Sequence, residues 1–213
     1  MRLERIAENF HRPRMGRRLT ALILSQMAIG ACVAVFKTVG FGTDPCSTLT
    51  LGVSAHTGVS FGTCQLTLNL LLFLPVIFLD LSRIGPGTIA NMVGVGYTAD
   101  ICMRIIAACL PPEGLTMTVR LVLFAVTMLI FLTAVGFYIA VDLGVAPYDA
   151  IPQLIAEHTP QLSRRTIRMM WDLSYLAVGF LLGSTVGLTT VISGFCLGPA
   201  IAFVSRRVKG WFE

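Results

Sequence analysis

Charge is scarce in this chain. Only 13% of its 213 residues are Asp, Glu, Lys or Arg, and 55% are hydrophobic, whereas soluble domains carry about 25% charged residues. Five runs contain no charged residue at all: 19–36, 45–79, 84–99, 121–141 and 173–205. This deficit argues against a water-soluble domain and predicts an integral membrane protein in direct contact with the lipid bilayer.

Enzyme motifs are also absent. The chain has no GxSxG, HExxH, Walker or dinucleotide-binding sequence, so we expect no enzyme activity and no cofactor. Its six cysteines show no CxxC or Cys/His spacing, which argues against a disulfide framework and against a metal site. The sequence ending at Cys32 loosely resembles a lipoprotein cleavage site, but the apolar run continues past it and favours a membrane segment.

Positive charges are placed unevenly. Thirteen of the sixteen Lys and Arg residues lie before the first apolar run, after the last one, at Arg83, or in the cluster at 164–168. If six segments cross the membrane and both termini are cytoplasmic, these thirteen face the inside and only Lys37, Arg104 and Arg120 face the outside. The pattern predicts a multi-pass protein of a bacterial inner membrane. A nucleic-acid partner is not expected, because the basic arm has no supporting motif.

Hydropathy divides the chain into six predicted spans. They cover residues 19–39, 62–80, 84–106, 118–140, 166–183 and 187–205. We expect a basic cytoplasmic arm at 1–18, membrane segments at 19–108 and 118–206 joined by a turn at Pro111–Pro112, and a cytoplasmic tail at 207–213. Leu3, Ile6 and Phe10 have helical spacing, which fits either an interfacial helix on the inner leaflet or a solvated tail.

One stretch, GTDPCSTLTLGVSAHTG at 42–58, is helical in character but too short to span. Asp44 suits an N-cap, Pro45 suits the first helical position, and Gly58 suits the end. A helix between them would be about 18 Å long. The hydrocarbon core is about 30 Å thick, so we predict a short non-spanning helix.

The same stretch recurs later as GVAPYDAIPQLIAEHTP at 144–160. Matches 102 residues apart include Gly42/Gly144, Pro45/Pro147, His56/His158, Gly85/Gly187 and Thr88/Thr190, and after one inserted residue Ser60/Ser163, Thr63/Thr166 and Asn69/Asp172 are 103 apart. Each copy holds three spans and one short helix, so the second copy would enter from the opposite side. The predicted fold is an all-α polytopic membrane protein of about six transmembrane helices in two inverted three-span repeats.

Several of these motifs together resemble a known family. The segments GxxP plus short helix, TGVSFGT and GPGTIANMVGVGYTAD are similar to the YczE/YitT-type family of bacterial integral membrane proteins, over most of residues 19–206. The resemblance implies a multi-spanning inner-membrane protein and says little about a substrate. In the first copy Cys46-Ser47 replaces the family's aromatic-Asp pair, so a polar role for that pair is implied only at Tyr148 and Asp149.

Ionisable and polar groups within the spans are candidates for function. Asn91, Tyr97 and Asp100 would line a polar cavity, or the glycine-rich surroundings of Asn91 would serve helix packing alone. Asp100 lies four residues before Arg104, so the two can also form a purely structural pair. Tyr148 and Asp149, the aromatic-Asp pair of the second copy, complete the set. The predicted substrate-binding residues are therefore Asn91, Tyr97, Asp100, Tyr148 and Asp149.

Three residues are candidates for proton or ion coupling: His56, His158 and Asp172. The histidines occupy matching ends of the two short helices, where they would either complement exposed carbonyls or titrate as a pair. Asp172 follows Arg168 by four residues, which fits a structural ion pair as well as a coupling role.

The sequence therefore predicts a small secondary transporter or permease for an unidentified small solute, working by alternating access. The alternative is a non-transport membrane protein that scaffolds or regulates a partner through its basic inner face and small-residue helix surfaces. An intramembrane enzyme is a third alternative, without a recognisable set of catalytic residues. A homo-oligomer is compatible with each of them.

Overall fold

The computed structural model describes residues 12–109 and 114–212, without the side chains of 194–200. This part of the chain is all-helical and contains no strand, as predicted. Its helices are α1 (Met15–Val39), α2 (Pro45–Thr57), α3 (Phe61–Leu79), α4 (Pro86–Cys109), α5 (Met117–Val141), α6 (Pro147–His158), α7 (Arg164–Leu181) and α8 (Leu188–Lys209). The predicted helix at 1–10 and the Pro111–Pro112 turn lie outside the described residues.

Four of these helices, α1, α3, α4 and α5, are long and apolar enough to cross a membrane. Helix α7 is not among them, since it carries Arg164, Arg165, Arg168 and Asp172. Part of α8 lies outside the described side chains. A membrane protein is consistent with the four apolar helices, while the fifth and sixth spans stay predictions.

The distribution of side chains is consistent with a protein surrounded by lipid. Phe78 is 78% exposed, Leu129 68% and Leu181 81%, whereas the amides of Gln26 and Asn69 are only 1% and 2% exposed. Soluble proteins rarely expose contiguous apolar surface of this kind. Both observations are consistent with lipid on the outside of the bundle and polar groups inside it.

Helix α2 begins and ends where the sequence predicts. The Asp44 carboxylate caps its first turn by accepting a hydrogen bond from the Ser47 N–H at 3.2 Å, and Pro45 takes the first helical position. The helix ends at Gly58, whose φ of 73° is left-handed. Helix α6 has the same starting proline, Pro147, but Ala146 provides no side-chain cap.

The helices that follow the two short ones are capped alike. Ser60 accepts a hydrogen bond from the Thr63 N–H at 3.3 Å, and Ser163 accepts one from the Thr166 N–H at 3.1 Å. These are two of the residue pairs that the sequence comparison matches. The matched serines therefore cap α3 and α7 in the same way.

The centre of the bundle is formed by α1 and its neighbours. The Phe36 ring of α1 contacts Phe131 of α5, with 5.6 Å between the ring centroids. On another face of α1, a Cβ atom on Gly30 would lie 2.5 Å from the Val95 carbonyl oxygen of α4. Glycine thus allows α1 and α4 to approach more closely than any other residue would.

Two loops, 41–43 before α2 and 143–145 before α6, are held by helices from the opposite half of the chain. The Gly87 N–H at the start of α4 donates to the Leu143 carbonyl at 2.7 Å, and the Thr189 N–H at the start of α8 donates to the Phe41 carbonyl at 2.9 Å. The two donors stand 102 residues apart in the sequence, and so do the two acceptors. We call these bonds and their hydroxyl counterparts the crossed loop bonds.

The hydroxyl counterparts follow the same spacing. Thr88 donates its hydroxyl to the Val145 carbonyl at 2.9 Å, and Thr190 donates to the Thr43 carbonyl at 2.9 Å. The crossed loop bonds therefore come in two pairs related by the 102-residue spacing. Each pair ties a loop of one half to a helix of the other.

Candidate functional site

A cavity of about 90 Å³ lies where the first turns of α2 and α6 meet. Residues from α1, α3, α4, α5, α7 and α8 complete its lining. A water molecule needs roughly 10–15 Å³ measured in this way, so the space holds several waters or one small solute. Most of the polar groups around it are on the short helices, α3 and α7.

A charged network forms the side of the cavity contributed by α6 and α7. The Arg168 guanidinium contacts the Asp149 carboxylate at 2.6 Å and the Asp172 carboxylate at 3.1 Å. Its Cζ atom lies 4.9 Å from the centroid of the Tyr148 ring, and the Tyr148 hydroxyl donates to Asp172. One arginine thus holds two carboxylates and an aromatic ring in a fixed arrangement.

The side contributed by α2 and α3 has no positive charge. One Asp44 oxygen is used in capping α2, while Oδ1, the other, is buried without a hydrogen-bond partner. Gln65, only 5% exposed, has its Oε1 buried without a partner as well. Both side chains line the cavity, and each has one buried acceptor oxygen that lacks a donor.

Helix α4 lines the cavity at an irregular turn. Residues Asn91–Val95 form a π-helical segment, and Asn91 and Val95 both face the cavity. The Asn91 amide nitrogen donates to the Gln26 side-chain oxygen at 3.0 Å, which connects α4 to α1. Single π-helical turns inside α-helices are frequent at functional sites.

The lining residues pair up between the two halves of the chain. Spacings of 102 relate Asp44 to Ala146, Cys46 to Tyr148, Ser47 to Asp149 and Asn91 to Ser193, and the spacing of 103 found after the inserted residue relates Gln65 to Arg168. All ten residues contribute to the same cavity. The first half supplies neutral groups at most positions where the second supplies charged or aromatic ones.

Four of the predicted site residues meet at this cavity: Asn91, Tyr148, Asp149 and Asp172. The other four lie elsewhere. Asp100 accepts a hydrogen bond from the Gly62 N–H at 2.9 Å, and Tyr97 is 40% exposed. His56 is exposed at the end of α2, and His158 Nδ1 lies 2.9 Å from the Leu154 carbonyl oxygen within α6.

The structure adds lining residues that were not predicted from the sequence, above all Arg168 and Gln65. The sequence does contain a signal for Gln65, because it stands 103 residues before Arg168 and four before Asn69, on the same helical face. Tyr138 carries no such signal: its hydroxyl accepts a hydrogen bond from the Ala146 N–H at 2.6 Å, a contact set by the bend of the loop before α6.

A larger, open groove of about 1150 Å³ lies between α1, α5 and the C-terminal turn. Its walls are mainly apolar, and Arg14 and Arg17 stand at its edge. It contains none of the predicted site residues. The small cavity, where charged and polar groups converge from both halves, is therefore the candidate functional site.

Comparison with known proteins assigns the chain to a family. A model described as "Family of unknown function (DUF6198)" matches residues 16–206. The chain is also similar to a protein of Haemophilus influenzae described as uncharacterized, with 28% identity over 180 residues that cover 84% of this chain and 78% of the relative. No solved structure matches it. Since the match takes in both short helices, the cavity and every candidate span, the chain belongs to the DUF6198 family of unknown function.

Proposed function

We propose that the chain is a small secondary transporter or permease of the bacterial inner membrane that moves a small polar solute by alternating access. In this proposal six helices span the membrane, α7 and α8 included, and the halves 19–108 and 118–206 are inverted repeats. The likeness to the YczE/YitT-type proteins belongs to the same proposal. The observation that carries it is the single cavity lined by matched residues from both halves.

The crossed loop bonds support a two-fold relation between the halves, which the inverted arrangement requires. In a chain with two equivalent halves, a contact from the first half to the second must have a counterpart in the reverse direction. The bond from Gly87 to Leu143 has its counterpart from Thr189 to Phe41, and the bond from Thr88 to Val145 has its counterpart from Thr190 to Thr43. Inverted repeats of this kind are frequent in secondary transporters.

The position of the charges supports a solute pathway. Ionisable groups within a bilayer usually face the bundle interior or a water-filled space. Arg168 and Asp172 of α7 line the cavity, and the apolar Leu173 and Leu181 of the same helix are 59% and 81% exposed. Helix α7 therefore has the two faces expected of a span beside a polar pathway.

Topology provides a direct test of the inverted arrangement. Val59 after α2 and Gln161 after α6 are both exposed and 102 residues apart. In a chain whose native cysteines have been replaced, we expect Val59→Cys to react with a membrane-impermeant maleimide from outside the cell and Gln161→Cys only after the inner face is opened. Labelling of both from the same side would contradict the inverted repeats.

Transport itself is tested in proteoliposomes. The purified full chain is expected to catalyse counterflow of at least one solute from a panel of small polar metabolites, and Gln65→Met is expected to reduce that flux. Gln161→Leu, at an exposed loop residue, is the matched control. A folded protein that moves no solute, while a partner protein co-purifies with it, would favour the scaffold alternative.

A further inference from the structure

We propose that the cavity binds a small organic cation carrying N–H donors, of the ammonium or amidinium class. The inference rests on the proposed function, since it assigns the class of solute to the same site. It is carried by the unpartnered acceptors of the cavity and by the arrangement of its charges.

The charges of the lining favour a cation. Asp44, Asp149 and Asp172 contribute three carboxyl groups, and Arg168 is the one Lys or Arg among the lining residues. Its guanidinium already contacts two of the carboxylates, at 2.6 and 3.1 Å. An incoming anion would have to displace one of them, whereas a cation meets Asp44, whose Oδ1 has no donor.

The unpartnered atoms specify donors on the ligand. Asp44 Oδ1 and Gln65 Oε1 are acceptors, both buried without a hydrogen bond. Gln65 is 5% exposed, so bulk water does not reach most of its side chain. A buried acceptor without a donor costs about 1–3 kcal/mol. We expect a ligand with N–H groups that enters the cavity to supply the missing donors as the lining side chains adjust to it.

One donor at the start of each short helix is already occupied. Helix N-termini attract anions through free N–H groups. At α2 the Ser47 N–H donates to the Asp44 carboxylate, and at α6 the Ala146 N–H donates to the Tyr138 hydroxyl. At each helix start, one of the chain's own groups therefore occupies a donor and reduces the attraction for an anion.

An organic cation fits the cavity better than a metal ion that needs several His, Cys, Asp or Glu ligands. In the part of the chain that the structure describes, no group of three or more His, Cys, Asp or Glu side chains is placed to hold one. The carboxylate oxygen of Asp44 and the amide oxygen of Gln65 suit a planar or tetrahedral nitrogen group with several donors.

An isosteric trio of solutes tests the charge preference directly. Acetamidinium, acetamide and acetate share one shape and differ in charge. Their binding to the purified full chain in detergent is measured by calorimetry and by thermal shift, at matched ionic strength. We expect acetamidinium to bind and to raise the unfolding temperature. We expect acetamide to bind more weakly and acetate to have no effect.

Two variants locate the binding. Asp44→Asn keeps the cap of α2 and removes the charge, and Gln65→Met keeps the side-chain length and removes the acceptor. Each is expected to weaken acetamidinium binding by about tenfold or more, the value of one charge-assisted hydrogen bond. Gln161→Leu is the control, and the unfolding temperature without ligand reports whether each variant is folded. If a variant does not fold, Asp44→Glu provides the second measurement, since it retains the charge and is expected to retain binding.

Each contrary result overturns the inference. Binding of acetate as tight as that of acetamidinium, no binding of any of the three, or an equal loss in Gln161→Leu would do so. The proposed function fails separately: cation binding without flux would contradict transport alone, and counterflow of an anion would contradict the cation site alone.

Discussion

Gly42 and Gly144 make equivalent close contacts with opposite halves of the chain. A Cβ atom on Gly42 would lie 2.6 Å from the Gly187 nitrogen, and one on Gly144 would lie 2.6 Å from the Gly85 nitrogen. Both glycines also have positive φ, 82° and 101°. Neither contact leaves room for a side chain.

Substitution of these glycines should therefore be costly. Gly42→Ala and Gly144→Ala are expected to combine left-handed backbone strain with a steric clash, and to lower the free energy of unfolding by more than the roughly 1–3 kcal/mol of strain alone. The measurement is thermal unfolding of the purified variants in detergent. Gly183→Ala is the matched control, because Gly183 has φ of 86° and a Cβ atom there would have no neighbour within 4 Å. A Gly144→Ala protein as stable as Gly183→Ala would contradict the clash.

Loss of a crossed hydroxyl bond should also be measurable. Thr88→Val removes the donor to Val145 and the acceptor of the Gly85 N–H, while keeping the shape of the side chain. The Val145 carbonyl then loses a partner, for which we expect a cost of about 1–3 kcal/mol in the free energy of unfolding. Thr190→Val is expected to cost a similar amount, since Thr190 makes the equivalent bond to Thr43.

Thr133→Val is the control for both threonine variants. Its hydroxyl donates only to the Leu129 carbonyl of its own helix and is exposed. We expect this variant to unfold at the temperature of the parent chain. An equal loss in all three variants would mean that the crossed loop bonds add nothing beyond ordinary threonine packing.

Removal of Arg168 should destabilise the chain through its carboxylates. Arg168→Met leaves Asp149 and Asp172 without their shared cation, and the side chains of both are more than two-thirds buried. Breaking a fully buried ion pair costs about 3–5 kcal/mol. Because Asp149 and Asp172 line the cavity and are not fully buried, we expect the free energy of unfolding to fall by that amount or less. Addition of Asp149→Asn and Asp172→Asn should restore part of the stability, because no unpaired charge then remains. A triple variant less stable than Arg168→Met would contradict this account.

Asp80, just after α3, should make stability depend on acid pH. Partial burial opposes ionisation there, but hydrogen bonds from Ser82 and the charge of Arg83 lower the pKa of Asp80 overall. A carboxylate with a lowered folded-state pKa stabilises the protein above its unfolded value of about 3.9, and the stabilisation is lost as the pH falls through the folded value. We expect Asp80→Asn to be less stable than the parent at neutral pH and equal to it in acid, as measured by denaturant titration. A difference that is constant with pH would contradict the assignment.

Arg83 extends the same contact to α6. Its guanidinium also donates to Gln153 at 2.7 Å and to Glu157 at 2.6 Å. Glu157 is half-exposed, so this part of the network is worth at most about 1 kcal/mol and weakens with salt. The turn after α3 and the short helix α6 are thus linked by an interaction that is easily broken.

The sequence predicts much of the helical framework because its determinants are local. Asp44, Pro45 and Gly58 bound α2 through capping and turn preferences that act within a few residues. The repeat spacing also predicts equivalence between distant parts of the chain. It pairs Thr88 with Thr190, and these two residues donate to opposite loops in the same way. The position of a residue along a span, by contrast, does not determine which way its side chain points. The Asp100 carboxylate accepts a hydrogen bond from the Gly62 N–H, away from the cavity.

The arrangement of the cavity depends on features that periodicity does not contain. The π-helical turn at Asn91 changes which face of α4 looks inward, and no residue pattern marks it. The contact of Arg168 with both Asp149 and Asp172 depends on how α6 packs against α7. An i,i+4 rule reveals only the second of these contacts.

The crossed loop bonds have a consequence for biosynthesis. Phe41 and Thr43 are made early, but the groups that satisfy their carbonyls, on Thr189 and Thr190, belong to α8, which is made much later. A polar backbone group without a partner is costly away from water. The first loop therefore reaches its final hydrogen bonding only after the start of α8 has been made, and a chain truncated before α8 would lack these bonds.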